Sequence, residues 1–171
     1  MILTFFKKQG ANILTFVNMI LGLVAIIFSI QGDFILSCMF IIIAAFTDRF
    51  DGMYARKFNA TSVIGKYLDS NSDLISFGIA PGLLIYLSVL KQFGVIGMIV
   101  SFLFIICGAY RLARYNAVEF TGYYVGIPIT IAGAILAAFV LSIPYISSIL
   151  FIFITLILSY LMVSNHSVKK V

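Results

Sequence analysis

Apolar residues run along this chain in six long stretches, and short polar or turn-forming segments separate them. Each stretch has roughly the 20 mainly apolar residues that a helix needs to cross the hydrocarbon core of a bilayer. The breaks contain residues that are typical of turns, among them Gly32, Gly94, Gly122 and Pro144. The pattern therefore predicts six transmembrane helices, over residues 12–31, 34–54, 67–90, 93–115, 123–142 and 145–163.

Composition supports a membrane protein. Of 171 residues, 63% are hydrophobic and 10% are charged, whereas a soluble domain is closer to half apolar and a quarter charged. We expect one all-α membrane domain over residues 1–171. The first ten residues are too short to span, and Phe5 and Phe6 followed by Lys7 and Lys8 indicate a short interfacial segment rather than a cleaved signal peptide.

The positive charges are distributed unevenly about the six predicted spans. One side of the membrane receives only Lys91 of the 11 Lys and Arg residues. The other side receives Lys7, Lys8, Arg49, Arg56, Lys57, Lys66, Arg111, Arg114, Lys169 and Lys170. Because basic residues favour the cytoplasmic side, we expect both termini to be cytoplasmic. The excess of basic residues behind the net charge of +5 is thus explained by membrane topology. We expect no nucleic-acid partner, since no basic run alternates with aromatic residues.

Four of the six acidic residues lie close together in the sequence: Asp48, Asp51, Asp69 and Asp73. The first two are three residues apart and the last two are four apart, so each pair shares a face of its helix. The first pair ends span two and the second begins span three, which brings all four to the cytoplasmic edge of the bilayer. Carboxylates at a membrane are costly and usually functional. Their oxygens suit one or two hard cations such as Mg²⁺ or Mn²⁺.

These aspartates belong to a longer motif with fixed spacing. It reads Asp48-x2-Asp51-Gly52-x2-Ala55-Arg56-x8-Gly65-x3-Asp69-x3-Asp73. The motif matches the signature of the CDP-alcohol phosphotransferases, and the chain also resembles that family in its plan of six spans with the motif between the second and third. The resemblance covers nearly the whole chain.

The resemblance implies roles for the motif residues. The four aspartates would bind two divalent metal ions, and Asp73 would also act as general base on the attacking hydroxyl. The resemblance implies that Gly52, Arg56 and Ser62 hold the CDP-lipid. Further candidates for the same role are Ala55, Gly65, Lys66, Thr15 and Asn18. Arg56 can contact a phosphate through two parallel hydrogen bonds. Considered alone, the small residues also suit close helix packing, and Thr15 and Asn18 also suit hydrogen bonds between helices.

The alcohol acceptor is suggested by residues outside the motif. Leu74 follows the last aspartate, where relatives that transfer to glycerol phosphate usually have lysine, and residues 111–116 read Arg-Leu-Ala-Arg-Tyr-Asn. Both features resemble the serine-transferring branch of the family. That branch implies a homodimer in a bacterial or archaeal cell membrane, which transfers the phosphatidyl group of CDP-diacylglycerol to L-serine and releases CMP. Arg111 and Arg114 are then candidates for binding the serine carboxylate, although the positive-inside rule explains them equally well.

Two other functions are consistent with parts of the pattern. A relative that uses glycerol 3-phosphate or an inositol phosphate would need a dedicated phosphate pocket, and the chain has few cytosolic basic residues for one. An ion-coupled transporter could use the aspartates as a relay, but transport sites usually lie near the middle of the membrane. The predicted carboxylates lie at one edge instead.

Overall fold

The computed structural model describes residues 2–57, 63–117, 123–164 and 167–169, with side chains described for 12–50, 52–53, 63–117 and 126–164. As predicted, the described chain is almost entirely helical. Its helices are α1 (Ile2–Gln31), α2 (Phe34–Lys57), α3 (Val63–Asp73), a π segment (Leu74–Ile79), α4 (Ala80–Ser88), a 3-10 turn (Leu90–Phe93), α5 (Val95–Ala117), α6 (Ile129–Phe139), a second 3-10 turn (Val140–Ser142) and α7 (Ser148–Val163). Two short strands, β1 (Tyr123–Val125) and β2 (Ser167–Lys169), complete the described fold.

Two segments of the described chain are long and apolar enough to cross a membrane, namely Asn12–Gln31 and Val95–Ala117. Two further apolar segments, Ile129–Ser142 and Ser148–Val163, are shorter. Helix α1 exposes a series of large apolar side chains, which are Ile13, Phe16, Val17, Ile20, Leu23, Ile27 and Ile30. An exposed apolar surface of this extent suits contact with lipid. Because α1 is continuous from Ile2, the predicted interfacial segment and the first span form one helix rather than two elements.

The turn between α1 and α2 has the hydrogen bonds of a Schellman motif. Gly32 has a φ of 87°, a conformation that glycine adopts at little cost. Its N–H donates to the carbonyl of Ser29 at 3.2 Å, and the N–H of Asp33 donates to the carbonyl of Phe28 at 2.9 Å. The side chains of Ser29 and Ser37 then hydrogen-bond across the two helices at 2.7 Å. This turn folds α2 back along α1 and so fixes the position of the acidic end of α2.

The π segment lies at the centre of the fold and begins directly after Asp73. Its Ser76 and Phe77 are buried. On one side, the hydroxyl of Ser76 donates to the backbone carbonyl of Asn18 in α1 at 2.9 Å. On the other side, α6 approaches so closely that a Cβ on Gly133 would overlap the carbonyl oxygen of Phe77. The sequence predicted an uninterrupted α-helix here. The structure has a wider π turn instead, a feature that is common at functional sites and that the apolar pattern does not indicate.

The predicted span 123–142 is wrong at its beginning. Residues 123–125 form β1, which pairs antiparallel with β2, and α6 starts only at Ile129. Two residues explain the late start. Gly126 has a φ of 76°, which a helix does not accommodate, and Pro128 is extended with a ψ of 141°. Helix α6 is therefore shorter than the prediction and starts next to the end of α7.

Candidate active site

Three of the predicted metal-binding carboxylates meet between α2 and α3. Asp48 comes from α2, and Asp69 and Asp73 come from the last two turns of α3. All three are half-buried, and one oxygen from each lies within 4.8 Å of the others. The carboxyl groups of Asp48 and Asp73 lie within hydrogen-bonding reach of each other. Negative charges this close repel one another, so the donor set fits a hard divalent cation that accepts oxygen ligands.

A residue that the sequence did not single out contacts this cluster. The hydroxyl of Thr130, in the first turn of α6, donates to Oδ2 of Asp48 at 3.2 Å. The two residues are 82 positions apart in the chain. No local pattern indicates the contact, because it depends on how α6 packs against α2.

Helix α1 contributes polar groups beside the carboxylates of α3. Ser72 donates its hydroxyl to the backbone carbonyl of Thr15 at 3.1 Å, one turn from the contact between Ser76 and Asn18. Ser72, in α3, and Ser76, in the π segment, are four residues apart and both contact α1. Thr15 is buried and Asn18 is fully buried. Among the described residues, neither Oδ1 nor Nδ2 of Asn18 has a hydrogen-bond partner.

The two predicted serine-binding arginines lie near the end of α5 and have different surroundings. Arg111 is buried, whereas Arg114 is half-buried. A guanidinium nitrogen of Arg114 donates to the carbonyl of Val163 in α7 at 3.0 Å. Asn116 turns toward α3 instead, where its Nδ2 lies 2.8 Å from the hydroxyl oxygen of Ser70. The polar end of α5 therefore lies beside the helix that carries Asp69.

The other predicted CDP-lipid residues are described in part. Lys66 is exposed, and its Nζ lies 5.8 Å from the centroid of the Tyr115 ring. Gly52 and Gly65 are half-buried. The remaining predictions concern the side chains of Asp51, Ala55 and Arg56 and the whole of Ser62, which lie outside the described residues. Their roles stay predictions, as do the roles of the residues that are described.

Comparison with known proteins gives named relatives. The chain is 39% identical over 133 residues, which are 76% of this chain, to the CDP-diacylglycerol–serine O-phosphatidyltransferase of Helicobacter pylori. It spans little more than half, 56%, of that relative's length. The Bacillus subtilis protein of the same name is 40% identical over 153 residues, covering 89% of this chain and 85% of its own length. The archaetidylserine synthase of Methanothermobacter thermautotrophicus is 34% identical over 163 residues, covering 94% and 69%.

A family-level match covers most of the chain. The family model described as CDP-alcohol phosphatidyltransferase matches residues 9–163, a range that includes the whole aspartate motif and every helix from α2 to α7. This match confirms the resemblance inferred from the motif. The chain belongs to the CDP-alcohol phosphatidyltransferase family.

Proposed function

We propose that this protein transfers the phosphatidyl group of CDP-diacylglycerol to the hydroxyl of L-serine, giving phosphatidylserine and CMP. The observation that carries the proposal is the cluster of Asp48, Asp69 and Asp73, which lies in the family's motif. Relatives from Helicobacter pylori and Bacillus subtilis are named for serine as acceptor. A family member with another acceptor, such as glycerol 3-phosphate or an inositol phosphate, is the alternative.

Asp73 is suited to the proton transfer in this reaction. It is half-buried at the end of α3, within the carboxylate cluster, and a positioned carboxylate can act as general base. Its carboxylate accepts the proton of the serine hydroxyl, and the serine oxygen bonds to the lipid-side phosphorus of CDP-diacylglycerol. The bond from that phosphorus to the bridging oxygen breaks, and CMP leaves with this oxygen. Divalent metal bound by Asp48, Asp51, Asp69 and Asp73 would neutralise charge on the pyrophosphate.

Buried polar groups of α1 support a binding site for the CDP part of the lipid. A fully buried amide without hydrogen-bond partners among the described residues, as in Asn18, costs free energy unless a ligand satisfies it. Thr15 lies one turn away on the same helix. We assign both to the nucleotide, together with the motif residues Gly52, Ala55, Arg56 and Gly65 and the nearby Ser62 and Lys66.

The acceptor would bind at the polar end of α5. We assign the serine carboxylate to Arg111, which is buried near the end of α5, and we assign Arg114, whose guanidinium donates to the carbonyl of Val163, to the contact between α5 and α7. Oδ1 of Asn116 is buried and has no hydrogen-bond partner among the described residues. It could accept a hydrogen bond from the ammonium group of an amino acid. A carboxylate and an ammonium on one small molecule would then both be recognised.

The order of the helices also supports a six-span topology. The described chain has six successive helical segments, namely α1, α2, the run from α3 to α4, α5, α6 and α7. We propose that all six cross the membrane. Both termini and the carboxylates would lie on the cytoplasmic side, as the positive charges indicate. The working protein would be a homodimer, as the family resemblance implies.

The acceptor is tested by measuring CMP release from purified protein in detergent micelles that contain CDP-diacylglycerol and Mn²⁺. L-serine, glycerol 3-phosphate, myo-inositol phosphate and no acceptor are compared. The proposal predicts release that depends on L-serine, with phosphatidylserine as product. Release that depends on another alcohol would overturn the acceptor. Absence of release with every acceptor, from folded protein that also fails to bind CDP-diacylglycerol, would overturn the reaction itself.

A further inference from the structure

We infer that Thr130 is a positioning residue for the metal centre, because its hydroxyl holds the carboxylate of Asp48 in the orientation that binds the cation. The inference rests on the proposed function, since it assumes that the aspartate cluster binds divalent metal. It adds a residue outside the aspartate motif, on a helix that carries none of the motif's carboxylates.

The contact itself is the first observation. Oγ1 of Thr130 donates to Oδ2 of Asp48 at 3.2 Å. Both residues are half-buried, so water competes less for the carboxylate than at an open surface. A carboxylate has two oxygens and several lone pairs, so one hydrogen bond restricts its orientation while the remaining lone pairs stay available to a cation. Hydrogen bonds of this kind orient metal ligands in many proteins.

The fold places Thr130 at this position through the turn before α6. Gly126 has a φ of 76°, and the N–H of Ile127 next to it donates to the carbonyl of Leu161 near the end of α7 at 3.1 Å. Pro128 then caps the helix, which starts at Ile129 and has Thr130 as its second residue. The first turn of a helix carries partial positive charge, which favours a nearby carboxylate. The backbone and the hydroxyl therefore both favour Asp48 at this end of α6.

The hydroxyl of Thr130 differs in its hydrogen-bond partner from those of two other threonines. Thr47, next to Asp48 in the sequence, donates back to the carbonyl of Ile43 in its own helix at 3.0 Å. Thr155 does the same to Phe151 at 2.7 Å. These are the usual local bonds of a helical threonine. Thr130 instead donates to an ionisable group on another helix, one that belongs to the aspartate cluster.

The test is Mn²⁺ binding to purified protein in detergent, measured by electron paramagnetic resonance of free Mn²⁺ without any lipid substrate. Thr130→Val and Thr130→Ala remove the hydroxyl, Thr130→Ser keeps it, and Thr47→Val is the matched control. Loss of a hydrogen bond to a metal ligand typically weakens metal affinity by about 10- to 100-fold. We expect the dissociation constant for Mn²⁺ to rise at least about tenfold in Thr130→Val and Thr130→Ala, and to stay near the wild-type value in Thr130→Ser and Thr47→Val.

Three outcomes would overturn the inference. Wild-type Mn²⁺ affinity in a folded Thr130→Val or Thr130→Ala protein would show that the hydroxyl does not position the ligand. An equal loss in Thr130→Ser would assign the effect to packing of the methyl group. If the wild-type protein itself binds no Mn²⁺, the metal site of the proposed function fails, and the inference fails with it. The first two outcomes leave the proposed function intact.

Discussion

Arg114 donates a hydrogen bond from its guanidinium to the carbonyl oxygen of Val163 at 3.0 Å, at the C-terminal end of α7. Carbonyls at a helix end lack partners within the helix, and this end carries partial negative charge. The same guanidinium lies 5.9 Å from the centroid of the Tyr110 ring. Arg114 therefore ties α5 to α7, whereas Arg111 is buried one turn earlier. The structure thus distinguishes two arginines that the sequence presents as equivalent.

Substitution of the two arginines should therefore have different effects. Arg111→Ala and Arg111→Lys should raise the KM for L-serine at least about tenfold, because a lysine lacks the planar fork that binds a carboxylate at two points. The KM for CDP-diacylglycerol should change little. Arg114→Ala should leave both KM values near wild type and lower the stability by about 1.5–3 kcal/mol, the usual contribution of a hydrogen bond to a charged group. Steady-state kinetics and thermal melting in detergent measure both effects.

Equal changes in both KM values for Arg111→Ala would indicate a general structural role and would remove Arg111 from the serine site. A raised KM for serine in Arg114→Ala, with unchanged melting, would assign the carboxylate to Arg114 instead.

Removal of divalent metal should stop the reaction. The carboxylates of Asp48, Asp69 and Asp73 lie within 4.8 Å of one another, and without a cation their charges would repel an incoming pyrophosphate. Serine-dependent CMP release should fall to background after treatment with excess EDTA and return when Mg²⁺ or Mn²⁺ is added. Turnover that persists in excess chelator would contradict the metal site.

Asn18→Leu should change stability and substrate binding in opposite directions. The amide of Asn18 is fully buried and unsatisfied among the described residues, and such a group costs about 1–3 kcal/mol. A leucine of similar volume should raise the melting temperature and also raise the KM for CDP-diacylglycerol. The matched control is Asn71→Leu, at an exposed position of α3, which should change neither. A lower melting temperature with an unchanged KM would show that the amide has a structural partner.

Gly126→Ala should be much more damaging than Gly32→Ala. Both glycines have positive φ, 76° and 87°, and a left-handed conformation costs alanine roughly 1–2 kcal/mol. At Gly32 a Cβ would meet nothing within 4 Å, whereas at Gly126 it would overlap the carbonyl oxygen of Met162. Gly126→Ala should therefore lose stability beyond the conformational cost and also weaken Mn²⁺ binding through Thr130. Similar melting temperatures for the two variants would contradict this account of the turn.

The sequence predicted those features that local chemistry determines. The positions of α1, α2 and α5 follow from apolar runs and turn residues, and the meeting of Asp48 with Asp69 and Asp73 follows from their helical spacing and the reversal of the chain between them. The aspartate motif also indicated the family, which the comparisons confirm. These features depend on residues near one another in the sequence.

The features that the sequence did not predict depend on long-range packing. The strand pairing of residues 123–125 with 167–169 joins segments far apart in the chain. The π segment lies where Ser76 contacts α1 and Phe77 contacts α6. Thr130 reaches Asp48 across 82 positions. Neither periodicity nor motif spacing encodes such contacts, and only the assembled helices bring these residues together.

In the proposed reaction the aspartate cluster, with Asp73 as base, carries out transfer to L-serine. The most direct test is L-serine-dependent formation of phosphatidylserine from CDP-diacylglycerol, compared between wild-type protein and Asp73→Asn in identical micelles with Mn²⁺. Binding of CDP-diacylglycerol to each protein is measured in parallel. We predict product from the wild type and at least about a hundredfold less from Asp73→Asn, the usual contribution of a general base, with lipid binding retained. Wild-type rates in Asp73→Asn would contradict the account.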